Sequence, residues 1–391
     1  MTNKKTVFIL TGGGLSPAFN SLLCGAIKEA QEKNWKILGG LYGWASLLDN
    51  GQITDLTNFD TNIIKNLGGT FLRSSRTNPF KIPNGIEQIT ENIKKLGVDA
   101  IVVIGGDDTL GAASLLFQEK QIPTVGIPKT IDNDLSETYW TPGYPSAAWQ
   151  LADYTRRIKI HAAYALSRLF IIEVPGFKSG WIAASSAFGG ADIILPPEKV
   201  INCSSVIKAI SQKYSANGNY ATVVISQYAR FDEPITGITD DQFDQYNTMR
   251  RSFIGLSFTE FLKKEIKIDI KNLHPGNFLE AIDPIEIDRE LSLALGQKAI
   301  NLVAENQSNI AVCLKRDDWT KTKIEISTAS LNNMVGKGRY KFLNEEMFDF
   351  ENFTVKQKFF DYLAPVFPNY PEQQIKDYCT LQNKLTKNTS L

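Results

Sequence analysis

Short β-branched apolar runs alternate along this chain with longer amphipathic ones, and that alternation constrains the fold more than any other feature. The apolar runs are Thr6–Leu10, Ile37–Leu41, Ala100–Ile104, Thr124–Ile127, Arg168–Val174, Thr222–Ser226 and Ile310–Leu314. Most lack strict polar/apolar alternation, as expected of strands covered on both faces. Helical patterns lie between them at Ala18–Lys33, Ile86–Leu96, Leu110–Lys120, Ser146–Ala165, Ser205–Tyr214, Thr248–Lys264 and Ile287–Ala304. The repeated order, strand then helix, predicts an α/β fold of doubly wound parallel sheets. Seven strands spread over most of 391 residues predict two Rossmann-like lobes. The tail from Leu331 is less regular and ends in "KLTKNTSL", so a short helical appendage with a frayed end is expected there.

Composition narrows the function classes. Lys+Arg and Asp+Glu are both 42, a net charge of zero that argues against nucleic acid or an anionic membrane as a bulk partner. No apolar run reaches the ~18 residues of a spanning helix. The apolar run that follows "MTNKK" leads straight into a glycine turn, so it reads as a first strand and not a signal peptide. Cys24, Cys203, Cys313 and Cys379 have no CxxC spacing, and buried free thiols in a cytoplasmic protein are expected. With only His161 and His274, a multi-histidine metal site is nearly excluded. His161 reads as a packed or surface residue, and His274, in a loop before Pro275, mostly so.

In doubly wound sheets ligands sit at the carboxyl ends of strands, which selects three places. The first is "FILTGGGLSPAFN", residues 8–20, where Gly12, Gly13 and Gly14 separate a strand from a helix. Such a turn brings backbone N–H groups and a helix N-terminus to an anion, or is simply a tight connection. The second is "IVVIGGDDTLGAA", residues 101–113. After Gly105 and Gly106, one of Asp107 and Asp108 suffices as a helix cap. The other is explained by an Mg²⁺ ion held by one carboxylate and phosphate oxygens. The third is "GIPKTIDNDL", residues 126–135, where Pro128 stops the strand. Asp132 and Asp134 suit a shared metal or a base, and Lys129 suits phosphate charge; the plain alternative is an Asx-turn cluster with a solvent-facing lysine. Jointly the three ends read as phosphoryl transfer, which needs positioned phosphates, Mg²⁺, cationic charge and a carboxylate base.

The spaced set "TGGG…P…N", "GGTFL.SSR", "GGDDT", "PKTIDND" and "DR" resembles the phosphofructokinase family, most closely its pyrophosphate-dependent branch, over about residues 6 to 315. The resemblance implies donor binding by Gly13, Gly14, Gly106, Asp108 and Lys129, with Asp107 on Mg²⁺. It implies Asp132 as the base for the acceptor hydroxyl, Thr130 and Asp134 orienting acceptor and metal, and Arg76 on the transferring phosphoryl group. Arg168 matches an arginine that holds substrate phosphate, often from a neighbouring subunit, and Arg289 of "DR" matches another at the sugar-phosphate end. A homodimer or homotetramer follows as an expectation. So does a division into a donor lobe, 1–145 plus about 284–315, an acceptor lobe, 146–283, and a C-terminal helical extension, 316–391. ATP-using members resemble "GGDGS" and "PGTIDND". Asp108 in place of one glycine would repel the α-phosphate of ATP, and Lys129 in place of the other adds a cation for the leaving phosphate of pyrophosphate.

The acceptor side departs from the family pattern. The usual "MGR" aligns with Pro175, Gly176 and Phe177, a sugar-binding glutamate aligns with Gln227, and "QRGG" aligns with Leu279, Glu280, Ala281 and Ile282. A glutamate where an arginine grips sugar phosphate would cost affinity, since removing one partner of a charge pair costs about 2–5 kcal/mol. Arg250, Arg251 or Lys271 would have to compensate. Three readings stay open: pyrophosphate-dependent transfer to fructose 6-phosphate, the same donor chemistry on a different sugar or polyol, and a non-catalytic phosphate-binding paralogue. Arg73, where glycine is usual, Leu15 in the first turn, and Trp44 near the donor side are further departures or contacts to place.

Overall fold

The computed structural model describes residues 4–164, 168–235, 242–243, 249–250, 253–317, 323–336, 338–368, 370, 377–378, 380–381 and 384. Ala165, Thr248, Arg251, Cys379 and most of the tail therefore lie outside the described residues, as do the side chain of Arg250 and its surroundings. The chain divides into two compact units, Met1–Ser146 with Glu280–Lys341, and Ala147–Leu279 with Phe342–Leu391. Residues from 316 onward are thus shared between the two units, and they contribute strands as well as helices.

The amino-terminal strands are β1 (Thr6–Thr11), β2 (Lys36–Gly40), β3 (Ile53–Asp55), β4 (Ala100–Gly105) and β5 (Thr124–Pro128), with helices α1 (Phe19–Glu32), α2 (Gly85–Leu96) and α3 (Asp107–Lys120) among them. Then come α4 (Tyr144–Tyr164), β6 (Arg168–Val174), α5 (Trp181–Ser185), β7 (Ile193–Leu195), β8 (Val200–Ile201), α6 (Cys203–Ala216) and β9 (Ala221–Ser226). Three short strands, β10 (Arg230–Phe231), β11 (Gln242–Phe243) and β12 (Met249–Arg250), precede α7 (Ile254–Glu265), β13 (Asp269–Leu273) and α8 (Gly276–Ala281). The chain closes with α9 (Glu286–Ala304), β14 (Ile310–Lys315), β15 (Glu325–Ser330), α10 (Leu331–Met334), β16 (Phe348–Asp349), β17 (Thr354–Val355) and α11 (Gln357–Leu363). All seven strands read from the sequence are present, most shifted at an end by a residue.

The first unit holds a seven-stranded sheet in the order β15-β14-β5-β4-β1-β2-β3. Its five inner strands are parallel and its two edges, β15 and β3, antiparallel. Val7 to Leu10 and Ile101 to Ile104 have no solvent exposure, which is why those strands read as continuous apolar runs. Helices α1 and α9 cross through reciprocal glycines. A Cβ on Gly25 would stand 1.9 Å from the Leu293 carbonyl oxygen, and one on Gly296 would stand 2.2 Å from that of Leu22. The order reverses between β4 and β1, so the turns after those strands flank the switch point.

The second unit is built on a parallel sheet in the order β13-β6-β9-β7. Its core holds Leu169, Ile171, Ile193, Val223, Ile225 and Phe258. No helix among the described residues is long and apolar enough to cross a membrane. Cys24, Cys203 and Cys313 are buried free thiols.

Candidate active site

In the first unit the three singled-out strand ends converge. Gly13 takes φ +90°, a conformation that favours glycine. A Cβ on Gly13 would lie 3.7 Å from the Lys129 Nζ, 3.8 Å from the Gly106 nitrogen and 3.8 Å from the Thr109 hydroxyl. The Gly13 N–H donates to the Ser75 carbonyl (3.0 Å) and the Ser74 hydroxyl to that of Gly13 (2.7 Å), so "SSR" backs the glycine turn. Arg73 sits at φ +61°, which explains why glycine is usual at its position; its guanidinium donates to the Tyr42 hydroxyl. Trp44 is wall packing, its Nε1–H donating to the Thr109 carbonyl at 3.2 Å from a buried position.

Lys129 is only 2% exposed. Its ammonium donates to the Gly14 carbonyl (2.6 Å) and stands 4.2 Å over the Phe19 ring, so it points into the cradle and not to solvent. Burial pushes its pKa down to about 7, against the upward pull of Asp132 and Glu280. Asp132 is pushed up to about 6, by burial first and then by the charge of Glu280, with Lys129 opposing. Asp134 is raised to about 7, by burial and then by Asp132. Asn133, buried between them at φ +54°, accepts the Thr141 N–H (3.1 Å), and the Thr130 hydroxyl accepts the Asp132 N–H (3.1 Å). These bonds fix the backbone of the turn that carries Asp132 and Asp134.

Asp107 and Asp108 both lie in the first turn of α3, beyond a Gly106 that makes no side-chain cap. Asp108 is exposed. Asp107 accepts the Gly336 N–H at Oδ1 (2.8 Å) and the Tyr340 hydroxyl at Oδ2 (3.2 Å). Nothing in the sequence marks Gly336, Tyr340 or Lys341 as neighbours of this turn, because they lie some 200 residues away and carry no motif. The hard oxygen ligands Asp107 and Asp134 fit Mg²⁺, and Asp107 adds to the charge that raises Asp134. No three of these carboxylates come within 4.8 Å of one another among the described residues, so a cation here would rest on one or two carboxylates and phosphate oxygens.

Glu280 was expected on the sugar-phosphate side. It is half-buried, and its carboxyl is pushed up by burial while Lys129 and Arg76 pull it down. The segment is pinned by Asp283, which accepts the Gly68 N–H of "GGTFL" at 2.9 Å. In "DR" the buried member is Asp288, accepting the N–H groups of Gly143 (3.0 Å) and Ser146 (3.3 Å) and the Ser146 hydroxyl; it joins α9 to the start of α4. Arg289 is partly exposed on α9.

In the second unit Pro175, Gly176 and Phe177 follow β6 and Gln227 follows β9. The Gln227 N–H donates to the Val174 carbonyl (2.9 Å), and Phe177 meets Tyr228 edge-on at 5.2 Å, so these four positions are brought together. Of the four, Phe177 lines a cavity of about 650 Å³, together with Lys178, Glu198, Tyr228, Arg230 and Phe350. Arg168 is not with them. It opens β6 and pairs with Asp269 at 3.3 Å, roughly 20 Å along the strand from Val174 at ~3.3 Å per residue. Lys271 also pairs with Asp269 (3.3 Å). His274 lies 3.4 Å from Glu173 and edge-on to Phe253, and His161 is edge-on to Phe170.

Glycine turns at the switch point of a doubly wound sheet, with a buried lysine and several carboxylates, define an α/β protein with a polar, charged site at the carboxyl ends of its strands. The phosphofructokinase family model matches residues 6–303. A pyrophosphate–fructose 6-phosphate 1-phosphotransferase of Dictyoglomus thermophilum is 32% identical over 85% of this chain and 96% of that protein. An ATP-dependent 6-phosphofructokinase of Corynebacterium efficiens is 30% identical over 78% and 88%. The crystal structure of a pyrophosphate-dependent phosphofructokinase from Marinobacter aquaeolei superposes with TM-score 0.80 at 22% identity, over 93% of this chain and 91% of that one. The chain belongs to the phosphofructokinase family. The two-lobed α/β fold expected from the sequence is that of this family.

Proposed function

We propose that this protein transfers a phosphoryl group from pyrophosphate to the hydroxyl of fructose 6-phosphate. The observation that carries the reading is the Lys129 ammonium, sunk into the cradle beside Gly13, Gly14 and Gly106. Relatives named for pyrophosphate and fructose 6-phosphate support the pairing of substrates. In this reading Gly13, Gly14 and Gly106 offer backbone contacts to the donor, and Asp108 disfavours the extra phosphate of ATP. Asp132 removes the proton of the acceptor hydroxyl as its oxygen bonds to the terminal phosphorus. The bridging P–O bond breaks, and the electron pair leaves with orthophosphate, whose charge Lys129 and Arg76 offset. A base raised to about 6 is half-matched to neutral pH, as general-base catalysis requires. Mg²⁺ bound at Asp107, with Asp134 near, would neutralise donor charge. Thr130 and Asp134 orient the acceptor, and Pro175, Gly176, Phe177 and Gln227 line its side of the second unit. Arg168 and Arg289 are assigned to substrate phosphate, Arg168 from a neighbouring subunit of a homo-oligomer.

One observation favours a second reading, a sugar or polyol acceptor with less phosphate. At the position that aligns with a sugar-phosphate-gripping arginine the chain carries Glu280, a carboxylate that cannot pair with a phosphate. A coupled assay with fructose 6-phosphate and a panel of free and phosphorylated sugars, each with Mg-pyrophosphate or Mg-ATP, separates the readings. Turnover of fructose 6-phosphate with pyrophosphate and little with ATP is expected, and Asp132→Asn should lower kcat by about 10²–10⁴-fold. Strong turnover with ATP and none with pyrophosphate would overturn the donor assignment. A wild-type rate matched by Asp132→Asn would remove the base.

A further inference from the structure

A single later segment, residues 336–341, reaches both acidic strand ends of the first unit (Lys337 lies outside the described residues). At the end of β4, the Gly336 N–H and the Tyr340 hydroxyl each take one oxygen of Asp107. At the end of β5, Tyr340 pairs antiparallel with Leu135 as an isolated bridge, and the Lys341 N–H donates to the Asp134 carbonyl at 2.7 Å. The Lys341 side chain then runs beneath the turn. Its ammonium donates to the Asn133 Oδ1 (2.9 Å), the Tyr139 carbonyl (2.8 Å) and the Thr138 carbonyl (3.2 Å). The Ser136 hydroxyl donates to the carbonyls of Asn333 (2.9 Å) and Met334 (3.3 Å), closing the contact from the other side.

We propose that this segment is a positioning strap, in which Tyr340 and the Gly336 N–H fix the Asp107 carboxylate for a divalent cation and Lys341 ties that carboxylate's holder to the turn carrying Asp132 and Asp134. The inference rests on the reading that Asp107 holds the metal. Two neutral donors hold the Asp107 oxygens, so they set its orientation and leave its negative charge for a cation. A lysine with three oxygen acceptors is saturated, so Lys341 acts as a rivet and not as a group that touches substrate. One strap on two strand ends makes their spacing a single quantity, and two carboxylates on separate turns share a cation only if that spacing is held. Partners that orient a metal ligand carry much of the metal affinity, about 10–100-fold by mutation.

The test titrates Mn²⁺ into the full chain and reads free Mn²⁺ by its electron paramagnetic resonance signal, with and without pyrophosphate. Wild type should bind Mn²⁺, and Asp107→Asn should abolish the site. Tyr340→Phe, which removes one oxygen atom, should weaken binding about tenfold or more. Lys341→Met should weaken it as well, although Lys341 does not touch Asp107, and the double variant should be no worse than the weaker single one. At saturating Mg²⁺ the Tyr340→Phe enzyme should regain its kcat while its KM for Mg²⁺ stays raised. Mn²⁺ binding unchanged in Tyr340→Phe, or additive losses in the double variant, would overturn the strap. Binding that survives Asp107→Asn would instead overturn the metal assignment. In that case equal kcat for wild type and Tyr340→Phe at all Mg²⁺ concentrations would overturn the strap too. Should Lys341→Met fail to fold, Tyr340→Phe alone decides.

Discussion

A single carboxylate, Glu280, carries more of this site's electrostatics than its alignment suggests. It raises the pKa of Asp132 and holds up that of Lys129. In the proposed mechanism Asp132 must be deprotonated and Lys129 protonated. For the free enzyme, kcat/KM should therefore rise through about pH 6 and fall above about pH 7. Glu280→Gln removes the negative charge at constant size, so both pKa values drop. The acid limb and the alkaline limb should both move to lower pH, and a profile unmoved on either side would show that Glu280 does not act on that group. Bound pyrophosphate favours the charged lysine, so the alkaline limb of kcat should lie above that of kcat/KM.

Among the elements, the pair α1 and α9 sets how closely helices pack under the glycine turn. Gly25 and Gly296 let the two backbones touch, and no side chain fits at either crossing point. Gly25→Ala forces an overlap with the Leu293 carbonyl, which only a helix shift relieves. Overpacking of this kind costs about 1–3 kcal/mol. Urea denaturation should show a lower midpoint with an unchanged slope, and an undiminished midpoint would mean that α9 moves freely. Asp288 works at the same scale, capping the start of α4 from the start of α9. In "DR" the sequence drew attention to the arginine, whereas the aspartate is the member with structural contacts.

For the whole molecule the open geometry is that of Arg168. It opens β6, at the end remote from Pro175 to Phe177, and it is held by Asp269. In the proposed reading it serves a phosphate site on another copy of the chain. Arg168→Ala and Asp132→Asn should each be weakly active alone, and mixed hetero-oligomers should regain activity that neither parent has. Mixtures no better than the parents would place Arg168 outside the site.

Much of the architecture was fixed by local chemistry. The seven apolar runs became strands because β-branched residues buried on both faces leave few alternatives, and Pro128 ends β5 where its missing N–H predicts. Lys129, Asp132 and Asp134 were visible for the same reason: such charge at a strand's carboxyl end is expensive without a use. Asp107 was visible too. The short edge strands β3 and β15 were not, since neither is a buried apolar run. Nor were the contacts of Tyr340 and Lys341 with Asp107 and Asn133, or the place of Glu280 beside Lys129. Those depend on where a sheet edge returns the chain after some 200 residues. Which groups end the strands follows from local periodicity and turn chemistry along the chain. Which distant groups hold them follows from packing alone, because hydrogen bonds and fields act through space and leave no spacing to read.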